Sequence, residues 1–202
     1  GSNGRKDRPG ADTALVDLGE TLRALLSSPG RARQMDDLTE VLVRRSGLAG
    51  AVLLADRKGG VEPLVEGAAG LAELRDRSTL LRTSRTLASW VIETREPLLV
   101  LDPALDERIE ARNIEASALI AVPVLLFGEP LGALVGFWGA GETDPDADGV
   151  LPLVQALAGV AALFLRMFKG DDDMKELKKR VRDLEVERVR LFNMRREPGT
   201  AA

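Results

Sequence analysis

The chain of 202 residues contains no cysteine, no histidine and no tyrosine, and its aromatic residues amount to 3%. Without His or Cys, a Ser–His triad, a thiol nucleophile or an ordinary zinc site cannot be assembled. A disulfide framework is excluded too, in keeping with a cytoplasmic location. Carboxylates, Lys, Ser and Thr remain as possible chemists, and no spacing brings an acid and a base together, so the chain reads as non-catalytic. No metal site and no cofactor is expected. The acidic stretches "ETDPDAD" and Asp171 to Asp173 lack the loop spacing of a calcium site. A net charge of −4 with no basic patch argues against nucleic acid.

One segment, "GVLPLVQALAGVAALFLRMF" from 149 to 168, approaches membrane-spanning length. Pro152, Gln155 and Arg166 interrupt it, and the expectation is a helix buried on most sides, with no membrane association. The opening Gly-Ser reads as an expression scar, which places the natural start upstream.

Along the chain, residues 1–11 read as a disordered lead-in. Asp12 caps a helix to about Ser28, with Leu15, Leu18, Leu22 and Leu25 at coiled-coil spacing. A second helix over 33–46 carries Met35, Leu38 and Leu42 on one face and stops at Gly47. "GAVLLAD" (50–56) and "VEPLVEG" (61–67) read as paired strands, with Pro63 marking an edge. Residues 68–83 read as irregular, and Ser84 as the cap of a helix ending near Arg95. "PLLVL" (97–101) is a short strand. Asp102-Pro103 predicts a brief helix through about Glu110.

"SALIAVPVLLFGEPLGALVGFW" then forms two apolar runs flanking Gly128-Glu129-Pro130. Neither run alternates, so both faces of this hairpin must be covered, as at the centre of a layered α/β arrangement. The loop "GAGETDPDADG" leads to the apolar helix at about 150–168. A break at Gly170 follows, then a helix over 174–196 capped by Asp173, and a loose tail.

These residues resemble a known family. "TLASWVIETREPLLVLDPALDER" followed by the hairpin is similar to the central signature of GAF domains, with Ser117, Pro123, Gly128 and Gly132 where that family places them. The match is close from Thr86 to Trp138, and the element order agrees from about 33 to 168. The resemblance implies an α+β fold: a six-stranded antiparallel sheet with helices on both faces, here with a C-terminal helical extension. The domains follow as 1–11 lead-in, 12–169 GAF-like domain, 170–197 coiled-coil-like helix and 198–202 tail.

The resemblance also implies a regulatory input domain in signal transduction, generally one that binds a small molecule between the sheet and the elements over it. It commonly dimerises through its first and last helices. Bilin attachment, haem ligation and methionine sulfoxide reduction in this family use Cys or His, which are missing here. The residue set of cyclic-nucleotide-binding members cannot be traced, and Ser89 and Arg95 replace typical glycines.

Around the implied pocket, Arg82, Ser84, Arg85, Trp90, Asp102 and Ser117 are the candidates for a small anionic or metabolite ligand. Against this, Arg82 and Arg85 can be solvated, Ser84 and Asp102 helix caps, Trp90 core, and Ser117 a hydroxyl bonded to local backbone. Gln155, Gly159, Ala162 and Arg166 leave the rest of the apolar helix greasier than one sheet can hide. Leu153, Leu157, Val160, Phe164 and Met167 form this surplus. With the first-helix leucines it predicts a homodimer through a bundle of four helices. Met174, Leu177, Val181, Leu184 and Leu191, interrupted by Arg188, continue the spacing as a parallel coil. Pairs such as Glu176 and Arg180 support that helix in water. The competing expectation is an interaction scaffold whose pocket is filled by Trp90, Phe127, Phe137 and Trp138 and whose last helix recruits a partner protein.

Overall fold

The computed structural model describes residues 23, 27, 30–57, 61–71, 77–110, 114–142 and 146–196. Of the expected helix over 12–28 only Arg23 and Ser27 are described, both helical; Leu15, Leu18, Leu22 and Leu25 lie outside the described residues, as do the lead-in and the tail. The chain divides into two compact units, 1–163 and 164–202.

In the first unit the elements are α1 (Arg31–Ser46), β1 (Gly50–Arg57), β2 (Val61–Ala69), α2 (Arg77–Thr94), β3 (Leu98–Val100), β4 (Ala116–Leu126) and β5 (Glu129–Gly139). The fifty-residue helix α3 (Ala147–Arg196) begins in this unit and continues through the second. The strands form one antiparallel sheet in the order β2-β1-β5-β4-β3. Five strands are present among the described residues, one fewer than the family resemblance implies.

The two apolar runs become β4 and β5, paired from Ala116 opposite Gly139 to Leu126 opposite Glu129 with register slips at Ala116/Ala118 and Val124/Leu125. The turn sits one residue earlier than expected, at Phe127-Gly128, and Pro130 belongs to β5 opposite Leu125. Both turn residues have positive φ, 51° and 79°, as a two-residue hairpin loop of the primed type requires. Gly128 adopts this freely, whereas Phe127 adopts it with its ring fully in solvent. Gly132 answers a different need: a Cβ there would sit inside the envelope of the Leu54 carbonyl oxygen on the neighbouring strand.

The two faces of the sheet separate by alternation. Val52, Leu54, Leu119, Ala121, Ala133, Val135 and Phe137 cluster with Leu80, Leu87, Ala88 and Val91 of α2. On the other face, Gly67 stands opposite Leu53 and its bare Cα lets the Met35 backbone of α1 close in. Asp36 Oδ1 accepts the Ala68 amide at 3.1 Å there. Arg31 grips Glu66 through both carboxylate oxygens, at 3.0 and 2.6 Å. Ile120 and Val122 share this face, where they border Leu151 and Gln155 of α3. The three layers are therefore α2, the sheet, and α1 with the start of α3. The expectation of helices on both faces holds. Pro63 does lie on an edge strand, β2, which pairs only with β1.

Three local expectations need correction. Helix α2 starts at Arg77 rather than at Ser84, because Leu80, Thr83, Ser84, Leu87, Ala88 and Val91 already hold helical spacing and are buried. Ser84 is therefore an interior residue, not a cap. Residues 102–109 form two successive turns instead of a helix. Leu105 bonds back to the Asp102 carbonyl and Ile109 to that of Asp106, and each Asp side chain takes the amide two residues on. Finally, α3 passes through Gly170 without a break, since one glycine costs about 1 kcal/mol against the propagation of a long helix.

Of the apolar surplus expected on α3, Leu157 and Phe164 are buried, Leu153 and Val160 half-buried, and Met167 exposed. Leu163, not singled out from sequence, is 57% exposed. The α3 stretch is long and apolar enough to cross a membrane by length and composition, with 44% of its most apolar window buried.

Candidate functional site

The face of the sheet under α2 holds the residues for which sequence reasoning expected a pocket. Its floor is Phe137, Leu119 and Val135, its roof Leu87 and Val91 of α2, and its flank Ile109 from the second turn. These side chains pack into one apolar cluster. Burial of each large member is worth about 1.5–3 kcal/mol.

Two buried hydroxyls among the described residues lack a partner. Ser84 is fully buried on the inner side of α2, and its Oγ has no hydrogen-bond partner. Ser117 Oγ is also buried and partnerless, at the position where β4 slips register between Ala116 and Ala118. A buried hydroxyl without a partner costs about 1–3 kcal/mol, so each marks a place where a polar atom from elsewhere would be welcome.

The remaining candidates disperse. Arg82 is exposed. Arg85 turns toward Glu62 on β2, at 3.9 Å, with the Glu62 side chain in solvent and that of Arg85 partly covered. Asp102 is exposed and its Oδ1 accepts the Ala104 amide at 3.1 Å, so it shapes its turn. Trp90 is half-buried against the cluster, and the Arg108 guanidinium lies over its ring, 5.2 Å from the centroid.

That guanidinium was not anticipated from sequence. Asp106 holds it through two hydrogen bonds, Nε to Oδ1 at 2.8 Å and Nη2 to Oδ2 at 2.5 Å, and also accepts the Arg108 amide at 2.9 Å. The Arg108 hydrogen bond keeps the Asp106 carboxyl below its ordinary range, partly opposed by burial. The same bond raises the Arg108 pKa. Trp90, Asp106 and Arg108 thus form a clamp that ties the second turn to α2 beside the apolar cluster. The alternation of Asp102 and Asp106 four residues apart was the available signal for paired turns.

Phe127, Phe137, Trp90 and Trp138 do not fill one pocket together. Phe137 lies in the cluster and Trp90 packs on it, but Trp138 follows Phe137 and so faces the opposite side of the sheet. Phe127 is at the hairpin tip in solvent.

On the α1 and α3 side, Val122, Pro123 and Leu125 face Gln155 and Gly159 across a cleft of about 270 Å³. Arg95 lines it as well, having a positive φ of 61° at the end of α2 where a glycine would sit without strain. Among the described residues, no group of three or more acidic side chains is placed to hold a metal ion.

No family model matches the chain, and no curated protein is similar to it in sequence. Solved structures are. The GAF domain of an Acinetobacter phosphoenolpyruvate-protein phosphotransferase superposes with a TM-score of 0.62 at 13% identity, over 79% of this chain and 96% of that one. Residues 122 to 287 of a methyl-accepting chemotaxis protein give 0.58 at 12% identity, over 73% and 95%. A free methionine-R-sulfoxide reductase from Neisseria meningitidis gives 0.53 at 15% identity, over 79% and 95%. The first unit of the chain therefore has the GAF fold. Structures that share this fold include regulatory domains of signalling proteins and reductases.

Proposed function

We propose that the chain is a non-catalytic regulatory module in signal transduction, which binds a small molecule beneath α2 and dimerises through its terminal helices. The observation that carries the ligand reading is the buried, partnerless hydroxyl of Ser84 on the inner side of α2, over the face where the resemblance places a pocket, with a second such hydroxyl at Ser117 where β4 slips register. A ligand carrying a polar or anionic group would satisfy Ser84, while the Trp90–Arg108–Asp106 clamp holds the turn that closes beside it. Binding would then bias the arrangement of the terminal helices through its different affinity for two of them.

The non-catalytic reading rests on residue chemistry. One solved structure that shares the fold is a sulfoxide reductase, and the family resemblance assigns that activity to cysteines that this sequence lacks. A cytoplasmic location, without membrane or nucleic-acid association, fits a module of this kind.

A second reading is favoured by the packing of Phe137, Leu119, Leu87 and Val91, which leaves the described part of that face occupied by side chains. On this reading the module is an interaction scaffold, and its last helix recruits a partner protein.

Thermal unfolding against a panel of metabolites and anions separates the two. A ligand present at 100 times its Kd raises stability by about 2.7 kcal/mol, which shifts the midpoint by several degrees. A panel without any shift, together with a Ser84→Ala variant that behaves the same, rejects the sensor and leaves the scaffold.

A further inference from the structure

Strand β3 stops pairing with β4 at Leu98 opposite Ala121, yet β4 continues to Leu126. From Val122 onward β4 has β5 on one side and, among the described residues, no strand on the other. Two prolines suit that gap, since neither has an amide hydrogen to offer a neighbouring strand: Pro97 just before β3 and Pro123 on β4. The gap is the cleft of about 270 Å³, closed on its far side by Gln155, Ala158 and Gly159 of α3. All of it belongs to the first unit.

Two residues lining this cleft break local rules. Arg95 holds a φ of 61°, where glycine would fit without strain, so the turn does not explain the arginine. Gly159 stands inside a helix, where alanine is the better former, and a Cβ there would meet nothing within 4 Å. Close packing therefore does not explain the glycine. Both exceptions shape the same space: one adds a cation and the other leaves the helix wall bare. Residues that defy local preference without a packing reason mark functional places.

The chemistry of the lining is specific. Among the described residues the Arg95 guanidinium has no ion pair and the Gln155 amide no hydrogen-bond partner. Between them the surface is apolar, with Val122, Pro123 and Ala158 buried and Leu125 half-buried.

We propose that this cleft binds a small organic acid, a single carboxylate on a compact apolar body. Arg95 takes the carboxylate through two parallel N–H···O bonds, and the Gln155 amide offers a further donor. The apolar body lies against Val122 and Leu125, in the room that Gly159 leaves open. The volume is that of about nine waters, which suits a ligand of about ten non-hydrogen atoms. One cation matches one negative charge, so a doubly charged phosphate is the poorer fit. The site lies across the sheet from Ser84 and is independent of the ligand proposed beneath α2. It bridges β4 to α3, the helix that continues beyond the first unit.

Benzoate is a probe of the right size and charge. Titrated into the full chain and followed by amide NMR, it should move Arg95, Leu125, Gln155 and Gly159 with a Kd of about 1 mM. Benzamide, its neutral isostere, should bind at least about tenfold more weakly. Arg95→Gly should weaken benzoate by about tenfold or more while raising the unfolding midpoint of the ligand-free chain, because the strain is relieved. Gly159→Leu should fill the cleft and abolish binding without lowering the midpoint. Ser84→Ala should leave benzoate binding unchanged. Binding that survives Arg95→Gly, or shifts that gather on α2 instead, overturns this site and leaves the ligand reading beneath α2 standing. Phosphate moving the same amides as strongly as benzoate overturns the organic-acid class, and no shift at about 50 mM benzoate or hexanoate overturns the proposal outright.

Discussion

Replacing Ser84 by alanine should make the ligand-free protein more stable, against the usual direction for a buried substitution. The hydroxyl is fully buried and partnerless, so folding strips it of water and returns nothing. Its removal should recover about 1–3 kcal/mol. The void left by one oxygen is small, on the order of 20 Å³, which costs about 0.5 kcal/mol. Alanine also has the better helix propensity by about 0.5 kcal/mol, and this contribution must be removed before the hydroxyl itself can be read. Ser89 supplies the control, since it lies on α2 and is exposed. The difference between Ser84→Ala and Ser89→Ala should then be a gain of about 0.5–2.5 kcal/mol, or roughly 2–8 °C in the unfolding midpoint of a chain this size. Denaturant unfolding of purified protein, with dialysis to remove any carried ligand, is the assay. A net loss of 1 kcal/mol or more relative to the control would refute the reasoning, because it would mean the hydroxyl already has a partner in solution.

Three further outcomes follow from the geometry. Gly132→Ala should lose about 3 kcal/mol or more and much of its soluble yield, because the added carbon meets the Leu54 carbonyl on a rigid neighbouring strand; an unfolding midpoint close to wild type would contradict that close approach. Gly159→Ala, exposed at the cleft between α3 and the sheet with open space around the added carbon, should gain about 0.5–1 kcal/mol in denaturant titration, and a loss would mean that something fills this cleft in solution. For Asp106 the folded pKa is lowered, so its contribution is fully present above the ordinary carboxylate range and is lost as pH falls through the folded value. Wild type should therefore exceed Asp106→Asn in thermal stability near about pH 7, with the gap narrowing toward about pH 3; a gap that widens on acidification would rule the ion pair out as its source.

The sheet was largely legible in the sequence, for reasons that differ from strand to strand. β1, β4 and β5 are apolar runs ended by Gly and polar turns, and their lack of alternation already says that both faces are covered. Pro63 placed β2 at an edge because it has no amide hydrogen for an inner strand. The start of α2 was not legible, because "RSTLLRTSRT" is rich in the residues that favour turns and its helical spacing emerges only once Thr83 and Ser84 are counted as inward-facing. The turns at 102–109 were misread because Asp followed by Pro opens both helices and turns. What decides between them is the Asp106 side chain, which captures Arg108 at both its backbone and its guanidinium.

The candidate site was readable only in part. Ser84 and Ser117 were named from the family resemblance; Ser84 proves to be buried, and Ser117 half-buried with its hydroxyl out of solvent. Arg108 was missed because its role depends on a turn crossing over Trp90, a contact distant in sequence that no local spacing announces. Leu157 and Phe164 were assigned to a surplus face because composition cannot say how far a helix is rotated. Burial separates them from Met167, which is exposed.

Strand β2 has a consequence for how copies of this chain can meet. It runs for nine residues at the open side of the sheet, a length that in many proteins invites a neighbour to zip on and seed a fibre. Pro63 interrupts the row of donors there, and Glu62 on one copy would repel its counterpart on another. End-to-end polymerisation through the sheet is thereby discouraged, and crowding at high concentration should favour finite assemblies over filaments.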